Sequence, residues 1–591
     1  MLSKLYKLGK LIPEDYFDDN PLGLNLKEQK DTGIVFLCFK IDENGTYQYI
    51  GNEIEDYDLG KNKKGLYLFK NASGNSKSPF ATVFYEKNLL KDNCIVLTSK
   101  PGKKIEAIVK DNLETNNSIK GLSDILTTDF VSKPIEVKDN FILSIKVDGK
   151  YLGEWKEYKK IIDNYTKNQY RDFYIKYSET VSRSEKANCY ICQSKDLEVW
   201  GYVDTFKFYS ANEDSVVAGG FNRRNAWKNY PVCQSCAQDL VKYRAVIENN
   251  LSFNFYGFSY FLLPELIIDT KNNSEFMDIL INDHYGLINL KKINETNKLE
   301  DELLDQLKDF NNSANFTMFF YEKNNSEFKI ILSIENVFPS RFKELYEAKK
   351  YAENNKIFKD IIMKKETKDL FMSFGIIKDF FPASKIEGNF SSYFLELVRS
   401  IFIGKSIDYD FVMQRIMAKL RNKFINDEYL YINLLNAMIL IKFINKLKLW
   451  NKKVQIKERE VVMGANKYVQ FIEEKKEFFD SNTKKAVFLE GVLCQLLLNI
   501  QYSERNSTPF RSKLNGLKLD EKYVKKLLPE IINKLEEYGK NFYKELEETI
   551  STYMLESKWN ISNDEISFFF VMGMNLAKEF KGDKEHIEEV N

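Results

Sequence analysis

An α+β body with a four-cysteine insert, followed by an all-α helical bundle, is the architecture this sequence predicts. Three observations carry it. Short strand-like apolar runs separated by turn residues fill the first 180 positions, two C-x-x-C pairs stand forty residues apart, and beyond about residue 396 apolar residues recur at helical spacing. A chain of 591 residues exceeds what one core serves; at about 150 residues per domain it should hold roughly three or four folding units. Hydrophobic residues at 43% and charged residues at 29% supply ordered cores under a charged surface, not disorder.

Taken in order, IVFLCFKI (34–41), GLYLFK (65–70), TVFYEK (82–87) and CIVLT (94–98) read as strands, and FILSIKV (141–147) alternates apolar and polar residues up to the turn at Asp148 and Gly149. They define an α+β domain over 1–180. Residues 181–240 form the cysteine insert, with VWGYVDTFKFYS (199–210) as an aromatic-rich strand and AGGF (218–221) as a turn. Residues 241–395 continue the α+β body through NFTMFFYEK (315–323) and KIILSIE (329–335), and 396–591 is the bundle. From Val524 to Leu555 the apolar residues hold one helical face over many turns. Ser562 with Glu565 makes a capping box, and Thr483 is placed to cap the helix that follows it. Ala486–Ile500 and Leu434–Ile444 are apolar but short and interrupted by Glu490 and Lys442, so they read as buried bundle helices and no membrane partner is expected. The N-terminus lacks the apolar core of a signal peptide, so a cytoplasmic chain is expected.

Zinc prefers thiolates in a tetrahedral array, and the turns ANCYICQS and PVCQSCAQ offer Cys189, Cys192, Cys233 and Cys236. Four protein ligands leave no open position, so the expected Zn2+ is structural, a clamp across an inserted hairpin. Cys38, Cys94 and Cys494 sit singly in apolar runs and read as reduced core thiols. Only two histidines, His284 and His586, occur, which excludes HD and HNH nucleases, H-E-x-x-H zincins and His-based triads. No phosphate loop is present.

Net charge is +1, so any nucleic-acid contact must come from local patches. Three stand out. Arg505, Arg511, Lys513, Lys518, Lys522, Lys525 and Lys526 crowd one segment against Asp520 and Glu521; Arg223, Arg224 and Lys228 share the cysteine insert with Phe221, Trp227 and Tyr230; Arg415, Lys419, Arg421 and Lys423 lie at the start of the bundle.

The strings WGYVDTFKFYS (200–210) and VAGGFNRRNAWKNYPVCQSCA (217–237), with GVL (491–493), LLNIQ (497–501), STPF (507–510), LNGLK (514–518) and ISFFFVMGMNLA (566–577), resemble the large subunit of the type I-B CRISPR Cascade complex, the Csh-type family. The resemblance implies a non-catalytic subunit whose partners are the crRNA-containing Cascade proteins (backbone and small subunits), target double-stranded DNA and a helicase-nuclease effector. Its expected work is to recognise the PAM, help open the duplex, stabilise the R-loop and present a docking surface, while base pairing reads the sequence. It further implies a small-subunit-like region from about 463, with Met463 as a candidate internal start. No arginine occurs before Arg171, so PAM reading in that region would fall to Lys, Asn, Gln or an apolar wedge and would tolerate A/T. Two rivals stay open: a carboxylate and magnesium nuclease, for which Pro13, Glu14, Glu28 and Lys30 can be arranged into a pattern, and a pure assembly scaffold that never touches DNA.

Overall fold

The N-terminal apolar runs pair as a sheet because one of them is buried on both faces. The computed structural model describes residues 2–13, 33–43, 47–58, 60–61, 65–68, 82–85, 140–154, 170–176, 179–206, 222–266, 304–305, 314–324, 327–363, 366–384, 388–452, 458, 461, 464 and 466–580. Gly33–Ile41 (β1) pairs antiparallel with Tyr47–Asp56 (β2), and Asn140–Val147 (β4) lies parallel on its other side. Thr82–Tyr85 (β3) and Lys150–Tyr151 (β5) both run antiparallel to β4. A strand covered on both faces reads as a continuous apolar run, and Ile34 to Phe39 are all buried. GLYLFK, expected as a strand, is instead a bend over its described part, residues 65–68. Gly65 takes φ 70° and Leu68 φ 50°, which delivers Tyr67 into the core beside Phe36 and Ile142. CIVLT lies outside the described residues.

The chain divides into two compact units. The first comprises Met1–Asn254, Phe258–Lys292 and Thr317–Ser333. Besides the β1 sheet it holds the hairpin Ile175–Lys176 (β6) with Thr180–Val181 (β7), and a three-stranded antiparallel sheet in the order Val232–Cys233 (β10), Leu197–Trp200 (β9), Arg183–Ala187 (β8). The aromatic strand stops at Trp200, earlier than expected. There the backbone turns at Gly201, where a Cβ would lie 2.5 Å from both Ser182 Oγ and Trp227 N; residues 207–221, including the expected AGGF turn, lie outside the described residues. Leu2–Leu11 (α1) packs on Gln234–Asn250 (α2), with Gly9 so close to Tyr243 that a Cβ would fall 2.0 Å from the ring. Ser252–Phe255 (β11), Phe258–Leu266 (β12), Ala314–Asn324 (β13) and Glu327–Val337 (β14) form a sheet in that order.

The second unit, Phe255–Gly257, Ile293–Phe316 and Ile334–Asn591, is helical over most of its described length. Its helices are Pro339–Glu353 (α3), Phe374–Phe380 (α4), Ser391–Ile403 (α5), Tyr409–Ile425 (α6), Tyr431–Lys446 (α7), Lys467–Glu474 (α8), Asn482–Arg505 (α9), Glu521–Glu537 (α10), Lys544–Leu555 (α11) and Asn563–Leu576 (α12). Helix α9 runs against α12 through reciprocal glycines: a Cβ on Gly491 would lie 2.1 Å from the Phe570 carbonyl, and one on Gly573 1.8 Å from that of Phe488. The 524–555 pattern is two helices, because Gly539 takes φ 65° and ends the first. Ser481, not Thr483, caps α9 by accepting from Lys484 N, while Thr483 Oγ1 donates to Glu458. Helix α9 is long and apolar enough by composition to cross a membrane, yet 67% of its apolar window is buried inside the protein.

Candidate metal centre and cationic surfaces

Two turns at the edge of the β8–β10 sheet bring the four cysteines together. In the first, Gln193 N donates to the Cys189 carbonyl and Cys189 N to that of Ser194, with Gln193 in the left-handed region at φ 60°. Tyr190 N donates to the Pro231 carbonyl and ties this turn to the second. In the second, Cys233 is at once the end of β10 and the N-cap of α2, so Cys236 falls in the helix's first turn, where the helix dipole favours negative charge. Cys233 N points at Cys189 Sγ, 3.4 Å away.

All four sulfurs lie within 4.8 Å of one another, with Cys192 and Cys233 at 3.9 Å. Zinc–sulfur bonds of roughly 2.3 Å in a tetrahedron require sulfurs about 3.8 Å apart, so the donor set fits such an ion with little adjustment. The thiols do not titrate alike. The Cys236 side chain, with backbone N–H groups of Cys233, Cys192 and Ile191, brings Cys189 down to about 4. Hydrogen bonding to Cys189 and burial push Cys236 up, and burial pushes Cys233 up. A cation would remove the conflict by stabilising all four as thiolates. Sequence reasoning missed Tyr6 of α1, whose hydroxyl reaches Cys236 and donates to Asp239 at 3.1 Å. No local pattern links residues 230 positions apart.

The 3₁₀ turn Arg223–Lys228 packs against β7 and β8. Ser182 Oγ donates to the Arg224 carbonyl and accepts from Trp227 N, and Tyr202 Oη donates to the Arg223 carbonyl. The backbone is pinned while the Arg224 and Lys228 side chains are exposed. Lys228 Nζ lies 5.6 Å from the Trp227 ring centre, and Phe221 lies outside the described residues.

In the second unit the cations divide by what already holds them. Arg421 Nε donates to the Leu517 carbonyl at 2.9 Å, and its guanidinium meets Asp564 at 2.6 Å and Ser567. It clamps a kink in which Asn515, Gly516 and Leu517 all have positive φ. Arg415 stacks 3.7 Å from the Phe390 ring centre, Lys419 pairs with Asp379 and Lys423 with Glu428. Lys419 and Lys423 also line a cleft of about 640 Å3 with Lys378 and Asn422. Arg511 stacks on Phe424 and bridges to Asp427, and Arg505 lies over Tyr538.

The other cations of that stretch face solvent. Lys513 and Lys526 share Glu530 at 3.3 and 3.7 Å, and Lys525 pairs with Glu521 one turn away. Such exposed pairs are worth about 0–1 kcal/mol and yield readily to a phosphate. Lys518 and Lys522 are exposed and make no ion pair among the described residues. The residues of the nuclease pattern after Pro13, both histidines and Met463 lie outside the described residues.

Comparison with protein families gives the class: a CRISPR-associated protein. Models of CRISPR-associated protein TM1802 match residues 1–164 (N-terminal domain), 186–337 (central domain) and 372–588 (C-terminal domain). The chain belongs to the CRISPR-associated protein TM1802 family. Among curated proteins, none matches it.

Proposed function

We propose that this chain is the non-catalytic large subunit of a type I-B Cascade complex. It binds target double-stranded DNA, recognises the PAM, stabilises the R-loop and offers a docking surface to the helicase-nuclease, beside crRNA-bound backbone and small subunits. The observation that carries the reading, together with family membership, is the solvent-facing set Lys513, Lys518, Lys522, Lys525 and Lys526, which among the described residues have weak ion-pair partners or none. Phosphate neutralisation by such groups supplies affinity without sequence information. Zn2+ at the four cysteines holds the insert rigid and takes no part in chemistry, since all four positions are filled by protein.

Anisotropy of a labelled duplex over a salt series tests the reading. A phosphate-contacting subunit loses affinity linearly in log[salt], with a slope near 0.9 per neutralised phosphate. A scaffold shows no binding, and cleavage in magnesium or manganese would convict a nuclease. Co-purification with crRNA and elemental analysis for zinc test the partners and the metal.

A further inference from the structure

A second feature of the helical unit adjoins the lysine face at Lys525. A pocket of about 180 Å3 opens among Tyr409, Asp410, Lys452, Trp559, Asn560 and Glu565. It has the room of roughly six waters and lies below the ~300–1,000 Å3 of a cofactor site, so its occupant is one small ring system. Two of its walls are aromatic. Tyr409 is buried, held edge-on by Trp450 at 5.1 Å, and its hydroxyl donates to Glu565 at 2.8 Å. Trp559 is held at φ 54°, a conformation costly for a bulky residue and the kind of strain that collects at binding sites.

The polar groups argue against a simple ion. An anion would meet Asp410 and Glu565; a cation would meet Lys452, whose ammonium lies 4.3 Å from the Tyr409 ring centre and 4.0 Å from Asp480. Lys484 is spent on Asp480 and Glu565, both at 2.7 Å, and these hold its charge against nearly complete burial. Burial, then the neighbouring Lys484, lowers Lys452 from its ordinary value. What remains available is the exposed amide of Asn560, which both donates and accepts, between the two aromatic walls. A flat neutral ring with donors and acceptors on its edge satisfies that mixture. Just outside, Lys525 Nζ lies 4.8 Å from the Trp559 ring centre and Lys558, the residue before Trp559, is exposed, cations for the phosphates flanking such a ring.

We propose that this pocket takes a single unstacked nucleobase of a nucleic-acid strand, received against Trp559 and Tyr409 and hydrogen-bonded by Asn560. The inference rests on the nucleic-acid reading above and specifies where an unpaired base goes. Every base has a π-face, so the pocket gives purchase on a single strand with little sequence preference.

The test is anisotropy of the full-length chain with a labelled twelve-nucleotide oligo(dT), the same oligomer carrying abasic positions, and oligo(U), alongside the duplex. Stacking worth about 1–3 kcal/mol per base converts to a loss of roughly 5- to 150-fold for Trp559→Ala, with the salt slope unchanged. Trp559→Phe should keep most of the affinity, and the abasic oligomer should bind weakly to the wild type and lose nothing further in Trp559→Ala. Equal losses on DNA and RNA identify the base itself as ligand; a loss on RNA alone assigns the contact to the ribose and overturns the base pocket. If Trp559→Ala fails to fold, the wild-type comparison of intact and abasic oligomers decides alone: equal affinity overturns the pocket. Equal affinities while duplex binding stays salt-dependent refute the pocket and leave the proposed function standing; no binding to any nucleic acid removes both.

Discussion

Glu490 offers a stringent check on the packing of the second unit. It lies midway along α9, fully buried, and neither carboxyl oxygen finds a hydrogen-bond partner among the described residues. Burial therefore drives its pKa well above the ordinary carboxylate value, and the group folds as a neutral acid. The folded chain keeps a proton that the unfolded chain releases near pH 4.3, so the cost is absent below that pH. Stability then falls by about 1.4 kcal/mol per unit as pH rises toward the folded pKa, and levels off beyond it. An unsatisfied buried polar group costs a further ~1–3 kcal/mol at any pH. Glu490→Gln should remove the pH-dependent part and keep the rest; Glu490→Met, similar in length and apolar, should remove both. Even the second part alone, ~1–3 kcal/mol, raises the melting temperature by roughly 2–12 °C at about 2–4 °C per kcal/mol. Thermal unfolding of wild type and both variants from pH 5 to 8 provides the measurement. Each variant's advantage over wild type should widen with pH; two variants no more stable than wild type, with the same pH profile, would falsify the assignment of an unpaired buried acid.

Other expectations are simpler to check. Cys236→Ser should abolish metal retention on elemental analysis and expose the insert and α1 to protease, because formation of such a site is worth on the order of 10 kcal/mol and Tyr6 reaches the same sulfur. Gly573→Ala should destabilise the helical unit by about 3 kcal/mol or more in urea, since its Cβ would fall 1.8 Å from a carbonyl oxygen in the facing helix; an unchanged midpoint would mean that α9 and α12 do not cross there. Arg421→Ala should cost about 2–3 kcal/mol by removing the charged hydrogen bonds to Leu517 and Asp564. Lys522→Ala with Lys526→Ala should instead leave stability unchanged and flatten the duplex salt dependence by up to about 0.9 for each phosphate no longer neutralised.

Much of this was legible along the chain. Thiolate chemistry and two short turns are local properties, so Cys189, Cys192, Cys233 and Cys236 were readable as one ligand set before any fold was known, and the structure gathers them. Burial on both faces writes itself as an unbroken apolar run, hence β1; the Ser562 hydroxyl accepts from Glu565 N as the capping box requires. The same motif shows where local reading ends. Glu565's carboxylate does not complete the box but binds Tyr409 and Lys484, 156 and 81 positions away.

Charge was the least legible feature. A lysine or arginine looks the same in sequence whether it clamps a carbonyl or faces water. Only the fold turned Arg421 inward to the 515–517 kink and left Lys518 and Lys522 outside. Likewise Trp559 and Tyr409 became walls of one pocket, and Glu490 became an acid without a partner among the described residues, because helices distant in sequence closed around them. Residue chemistry and periodicity are written locally; which group loses water, and to whom, is settled by packing.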